Sequence, residues 1–310
     1  MTHLCNHRSR ISHVRRGSQV SDINYPKSVI RFFGNTNFAL ACIAQRKITF
    51  VHASKLNDPF DPVFYLPTEF DDNYEELLNW IAKNHKERRS DFQTILSKEN
   101  FDGFLKAVRD IINDKLKDAF IFSTCEAREE EGCVHPKDNL YMWSHYANGH
   151  RGVAIEFDSK LVSDSVLAKS KLENPQQVVE DSWIEIEYKD RLPQITAEAF
   201  FEYVWAKGTG SHFDTSRFDE VFKSLLKSKA DIWHLEQEWR LMWHSDETRL
   251  KFIDIPIADD SITAIYLGCR VDSRLAEDFR FEVAHNFPRA KLYKANIKDN
   301  TFALEYESFR

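Results

Sequence analysis

Residues 231–244 read DIWHLEQEWRLMWH, and their pattern decides how the chain is put together. From Glu236 onward the side chains alternate, with Trp239, Leu241 and Trp243 on one side and Glu236, Glu238 and Arg240 on the other. Alternation with period two is the mark of a half-buried strand. The spacing therefore predicts a strand with an aromatic back and an acidic front. Carboxylates two residues apart on one face lie roughly 6–7 Å apart, near enough to hold one ligand and too far to share a proton. Two readings of that front stand open: a catalytic pair, or a solvated edge-strand face on which Arg240 pairs a glutamate.

Upstream, Phe218–Ala230 reads as a helix, with Val221, Leu225 and Ser228 inward, that delivers the chain to this strand. Downstream come strands at Phe252–Ile257 and Ser261–Leu267, a helix at Arg274–His285, and strands at Lys291–Ile297 and Phe302–Tyr306. Nearer the N-terminus, Ser28–Phe33 (SVIRFF) is a short strand whose single cation is Arg31. Asn35 or Thr36 caps a helix carrying Phe38, Ala41 and Ala44, and Ile48–Val51 is a second strand. Lys55–Pro62 (KLNDPFDP) is a turn, because Asn57 and Asp58 bond their own backbone and Pro59 pushes Asp58 out of the helical region.

Asp71 to Asp118 reads as an insertion of two helices parted near Asn100, with Leu77, Leu78 and Ile81, then Phe104, Leu105, Val108 and Ile112, as their buried stripes. Ala119–Cys125 (AFIFSTC) is a strand running into a charged loop that carries Glu129–Glu131. Asn139–His150 (NLYMWSHYANGH) is a short aromatic helix leading into the strand Gly152–Phe157, and beyond it Ser182–Tyr188 is a strand and Ala197–Ala206 a helix. A helix-rich first half and a strand-rich second half make the class α+β.

Composition narrows the function. With 42 Lys+Arg against 49 Asp+Glu, the formal charge of −7 supplies no global basic field for nucleic acid or an anionic membrane. Hydrophobic content of 42% with 24 Phe is ample for a core. The expected organisation is a disordered basic tail over 1–24, where Arg8, Arg10, Arg15 and Arg16 precede any acid, followed by one elaborated domain over 25–310. Five scattered cysteines without framework spacing point to a reducing compartment, hence the cytoplasm. No apolar run approaches the roughly 18 residues of a membrane span.

His135, His145, His150, Cys125 and Cys133 fall in one window, but the spacing does not suit a metal. His145 and His150 are separated by about 140° around a helix, whereas a helical metal pair sits at i, i+4, and the cysteines lack a C-x-x-C spacing. No metal is expected. His145 and Tyr146 remain as polar tips on the aromatic helix. A hydrolase using His145 or His150 as base and Cys125 or Ser123 as nucleophile is one alternative. A non-catalytic interaction module is another.

Leu56–Asp61 (LNDPFD), Met142–Phe157 (MWSHYANGHRGVAIEF) and Glu236–Leu241 (EQEWRL) together resemble a bacterial family known only as a domain of unknown function, over about residues 28–267. A further resemblance is to ADP-ribosyltransferases of the arginine-serine-glutamate type. These carry an arginine on a first strand, a Ser-Thr-Ser segment on a middle one, and a Glu-x-Glu or Gln-x-Glu pair opening a later one. Arg31, then Ser123-Thr124-Cys125, then Glu236-Gln237-Glu238 follow that order, with Cys125 in place of the last serine. The resemblance implies a split, mostly antiparallel β core flanked by helices.

It also implies NAD as substrate, cleaved by ADP-ribosyl transfer or glycohydrolysis, in a bacterial toxin or defence setting, with an acceptor that is protein, nucleic acid, small molecule or water. Breaking the nicotinamide–ribose bond passes through an oxocarbenium-like transition state, which a fixed carboxylate stabilises. Glu238 takes that role, and Glu236 orients or deprotonates the acceptor. Arg31 pairs the pyrophosphate, Ser123 and Thr124 belong to the ribose-binding segment, and Tyr141, Trp143 or Tyr146, beside His145, stack on nicotinamide.

Overall fold

The structure, a computed structural model, describes residues 26–62, 74–75, 78–79, 82–83, 97–117, 119–127, 134–173, 183–194, 222–244 and 250–309. The tail at 1–24, most of the segment at 71–96, Glu129–Glu131, Cys133 and the helix expected at 197–206 lie outside these residues.

The organising strand is β3, Ala119–Glu126, apolar enough on both faces to be buried along most of its length. One edge pairs antiparallel with β8, Glu238–His244, from Ala119↔His244 to Cys125↔Glu238. The other edge is shared. β1 (Ser28–Phe33) pairs with its C-terminal end through Val29↔Glu126 and Ile30↔Cys125. β2 (Lys47–His52) pairs with its N-terminal end through Val51↔Ile121 and His52↔Phe120. The stretch of β3 between those contacts pairs with neither, so the sheet is split beside Phe122–Thr124.

The rest of the sheet extends from this split. Beyond β1 lie β4 (Val153–Asp158), β10 (Ile262–Leu267), β11 (Lys291–Ile297) and β12 (Leu304–Ser308), while β9 (Phe252–Pro256) flanks β2 and β5 (Ile184–Glu185) flanks β8. Within it β10 and β11 are parallel and the other pairs antiparallel. β6 (Glu187–Lys189) and β7 (Ser228–Ala230) form a small parallel pair beside it. The class is α+β, with a mixed, mostly antiparallel sheet flanked by helices.

Helices bury both faces. On one face Phe50, Phe120, Phe122, Phe157, Trp239 and Trp243 pack with side chains of α1 (Thr36–Ala44), α4 (Ser159–Glu173) and α5 (Ser273–Asn286). On the other, Ile30, Ala154 and Tyr266 pack with Trp143 and Ala147 from the region of α3, Leu140–Tyr146. The helix α2, Phe101–Lys117, buries Ile112. Asn35 and Asp272 cap α1 and α5, each accepting backbone N–H bonds of the first turn. No helix among the described residues is long and apolar enough to cross a membrane.

Several expected boundaries move. Asp231–Glu236 is a 3-10 turn closed by Gln237 at φ 47°, and the strand begins at Glu238. Trp239, Leu241 and Trp243 still alternate into the core. The helix expected to reach Ala230 stops by residue 226, because Ser228–Ala230 finds a strand partner in β6. The strand expected over Ser182–Tyr188 is interrupted at Ile186, and the last strand begins at Leu304. Between α3 and β4 the chain turns through Asn148, Gly149 and His150, all at positive φ. It then passes so close to β1 that a Cβ on Gly152 would lie 2.1 Å from the Phe33 carbonyl oxygen.

Candidate functional site

A cleft of about 350 Å³ opens at the split, with β1, β3 and β8 contributing neighbouring walls. Its floor is ionic. The Arg240 side chain is 1% exposed, and water cannot solvate its charge. It donates Nε to Glu238 Oε1 at 2.6 Å, Nη2 to Glu238 Oε2 at 3.0 Å, and Nη1 to Asp61 Oδ1 at 3.0 Å and to the Leu226 carbonyl at 2.8 Å. A further Nη2 bond to Asp61 Oδ2 makes both carboxylate contacts bidentate. Lys229 is almost as buried, and its ammonium bridges Glu236 Oε2 at 2.5 Å and Glu238 Oε2 at 2.9 Å. Buried charges persist only when paired in this way.

The two glutamates share that ammonium but are held differently. Burial would raise the Glu238 carboxyl, yet Arg240 and then Lys229 outweigh it and hold the group at about 2. Burial raises the Glu236 carboxyl, Lys229 only partly offsets this, and the neighbouring Glu238 charge raises it further. Burial likewise raises Asp61 against the pull of Arg240. The second Glu236 oxygen accepts from the Tyr146 hydroxyl, a neutral donor whose own acidity is weakened by burial and by the Glu236 charge. Cys125 is pushed well up by burial and by both glutamates, so it is a protonated thiol.

Arg31 contrasts with these compensated cations. Its side chain leaves β1 on the face opposite Ile30 and enters the split, stacking 4.6 Å over the Phe122 ring. It donates one long bond, Nη1 to the Thr49 carbonyl at 3.4 Å. Among the described residues no carboxylate pairs with it, and burial lowers its guanidinium to about 10. Ser123 sits on the β3 face that carries Cys125. Its hydroxyl is buried without a partner of normal hydrogen-bond geometry, and it lies near enough to Glu238 to help hold that carboxylate down.

Stretches far apart in sequence converge here. Asp61, from the LNDPFD turn, meets Arg240 from EQEWRL, and Asn57 Nδ2 from the same turn donates to Tyr146 Oη at 3.3 Å. Asp58 Oδ1 accepts from the Phe60 N–H at 2.9 Å, so the turn braces itself as its composition predicts. Asn139 ties α3 to the 3-10 turn by capping Tyr141 and Met142 and donating to the Leu235 carbonyl at 2.9 Å. The Glu238 N–H is satisfied by the Tyr188 hydroxyl at 2.8 Å.

Of the residues singled out from sequence, Arg31, Ser123, Thr124, His145, Tyr146, Glu236 and Glu238 line the one cleft. Thr124 spends its hydroxyl on the Trp239 carbonyl at 3.0 Å. Trp143 does not reach the cleft: it is fully buried, edge-on to Phe32 at 5.2 Å, with its indole N–H on the Lys137 carbonyl. Tyr141 does not line the cleft either: its ring lies 4.3 Å from that of His145, tilted by 39°. The acidic front is not the solvated face that one sequence reading allowed, because Glu236 and Glu238 are each 4% exposed. Lys229 escaped sequence reasoning, and Asp61 was expected only as a side chain of the LNDPFD turn tied to backbone or to the aromatic helix, not as the partner of Arg240. For that ion pair the signal was weak, an acid in a turn in a chain with an arginine on a strand face, and for Lys229 there was none.

A family model described as a protein of unknown function (DUF2971) matches residues 142–241. The matched stretch runs from α3 into β8 and includes Tyr146, Lys229, Glu236 and Glu238. No curated protein and no solved structure matches the chain.

Proposed function

We propose that this cleft cleaves the bond between nicotinamide and ribose in NAD, passing ADP-ribose to water or to a second acceptor. The observation that carries the reading is one cleft holding both a carboxylate kept ionised, Glu238, and a guanidinium, Arg31, that meets no carboxylate partner among the described residues. The first suits a developing oxocarbenium, the second a phosphate. Among the described residues Glu238 Oε1 accepts one bond of normal geometry, from Arg240 Nε, and the Ser123 hydroxyl lies close by, so this oxygen has room for a ribose hydroxyl. Ser123, with its unused hydroxyl beside that carboxylate, fits the same ribose.

A volume of about 350 Å³ lies at the small end of ligand sites, enough for the nicotinamide ribose half with the rest of the dinucleotide outside. The reading takes the split sheet as an ADP-ribosyltransferase type of core, with Arg31, Ser123 and Glu238 on the adjacent strands β1, β3 and β8.

The Cys/His hydrolase has less support, since a thiol held protonated between two carboxylates is a poor nucleophile. A purely structural module accounts less well for Arg31, whose guanidinium meets a ring and one carbonyl but no carboxylate among the described residues. The test is incubation of the protein with NAD carrying labelled nicotinamide. Release of free nicotinamide, lost in Arg31→Leu, is the expected outcome, and no release at any protein concentration would end the reading.

A further inference from the structure

A diphosphate carries two negative charges, and the single guanidinium of Arg31 offsets one. In a chain of formal charge −7, the other needs a cation of its own close by. We propose that Arg31 and Lys55 together form a diphosphate subsite, and that Lys55 is the residue by which the cleft prefers a dinucleotide to a mononucleotide. The subsite rests on the NAD reading and deepens it, since it names what is recognised beyond the reacting ribose.

The choice of cations follows from which of them are already committed. Arg31, Lys55, Lys229 and Arg240 line the cleft. Arg240 spends its guanidinium on Glu238, Asp61 and the Leu226 carbonyl, and Lys229 bridges Glu236 and Glu238. Arg31 meets the Phe122 ring and, at 3.4 Å, the Thr49 carbonyl. Lys55 is exposed and, like Arg31, meets no carboxylate among the described residues.

Local structure fixes where Lys55 stands. It ends the 3-10 turn Ala53–Lys55 that follows β2. Ahead of it the Ser54 N–H donates to His52 Nδ1 at 3.2 Å, and behind it the Leu56 N–H donates to the Ala53 carbonyl at 3.2 Å and Asn57 Nδ2 to Tyr146 Oη at 3.3 Å. The backbone is held on both sides, while the side chain stays free to follow a ligand.

The cleft is therefore polarised across β3. Arg31 rests against β2, and Lys55 follows that strand, on one edge of β3; Glu238 opens β8 on the other edge, with Glu236 just before it. Phosphates are drawn toward the first edge and a ribose turning cationic toward the second. The rigid fork of Arg31, stacked on Phe122, suits the inner phosphate beside that ribose, and the mobile ammonium of Lys55 suits the outer one, where the dinucleotide leaves the cleft.

The experiment follows nicotinamide release by the full chain and by Lys55→Gln from NAD and from nicotinamide mononucleotide, which lacks the outer phosphate. Calorimetry measures in parallel the binding of ADP-ribose, a diphosphate without the bond to be cleaved. Lys55 is exposed, so the substitution should not disturb the fold. At low salt the ratio of kcat/KM for NAD to that for the mononucleotide should fall by roughly fivefold in the variant, the scale of one exposed ion pair. The fall should lie in KM rather than kcat, because the phosphate is held equally in bound substrate and transition state. ADP-ribose should bind about fivefold more weakly, and both differences should shrink as salt rises. Cleavage of NAD with the ratio and the ADP-ribose affinity both at wild-type values overturns this inference and leaves the NAD reading standing. ADP-ribose binding that weakens in Lys55→Gln, with no nicotinamide released from either substrate, ends the NAD reading and keeps the subsite. Neither release nor binding overturns both.

Discussion

Glu238→Gln keeps the shape of the side chain and deletes the charge on which Arg240 and Lys229 both depend. The three side chains are 5%, 1% and 4% exposed, so water cannot replace what is lost. Holding the carboxyl at about 2 rather than 4.5 corresponds to about 3 kcal/mol. Removing one partner of a buried ion pair costs about 3–5 kcal/mol, because the other charge is stranded. The two routes agree on a loss of about 3 kcal/mol, a melting midpoint lower by on the order of 5 °C. Sequence alone implied the contrary, since a glutamate on an open strand face can be neutralised almost without effect.

The assay is urea unfolding of both proteins at neutral pH and again well below the ordinary glutamate range. The folded-state group is depressed, so its stabilisation is fully present above about 4.5 and drains away as the pH falls toward about 2. The gap between wild type and variant should therefore close in acid. Asp61 and Glu236, raised by burial, pull the other way and flatten the overall acid limb, but they are common to both proteins. Nicotinamide release, measured well below the variant's midpoint, should fall by roughly a hundredfold or more. A variant as stable as wild type at neutral pH, or a gap that persists in acid, would refute the ionic account.

Three further outcomes follow from particular contacts. Asp58→Ala removes the acceptor of the Phe60 N–H and should lower stability by about 1 kcal/mol, read from the unfolding midpoint; an unmoved midpoint would deny the turn its bracing role. Gly152→Ala places a methyl 2.1 Å from the Phe33 carbonyl oxygen, where β1 and β4 are paired. Either the strands separate or the chain fails to fold, so the loss should exceed about 3 kcal/mol or leave no soluble protein. Cys125 should resist iodoacetamide at mildly alkaline pH in the folded protein and react in urea, as peptide mass spectrometry would show; rapid labelling in the native state would contradict its raised thiol.

Much of the framework was legible because it is local. A two-residue period in WRLMW can bury only one set of side chains, and Trp239, Leu241 and Trp243 are that set. Asn-Asp-Pro in a turn, an Asn cap before α1 and an apolar AFIF run likewise act within a few residues of themselves. They sufficed for the α+β class and for most strands from Ser28 to Ser308. Periodicity also located the polar side of β8, and with it Glu238.

What period cannot report is the matter that covers that side. Asp61 reaches Arg240 across 179 positions, and Lys229 enters from β7, where a helix was expected. The 3-10 turn that carries Glu236 off the strand depends on Gln237 accepting a left-handed backbone, and Trp143 vanishes into the core because Phe32 and Lys137 close over it. Local sequence determines which way a side chain points, since sterics act over a turn or a pleat. Whether its charge meets water or another charge is decided only when distant segments close over the strand, because burial and Coulomb pairing act through space and not along the chain.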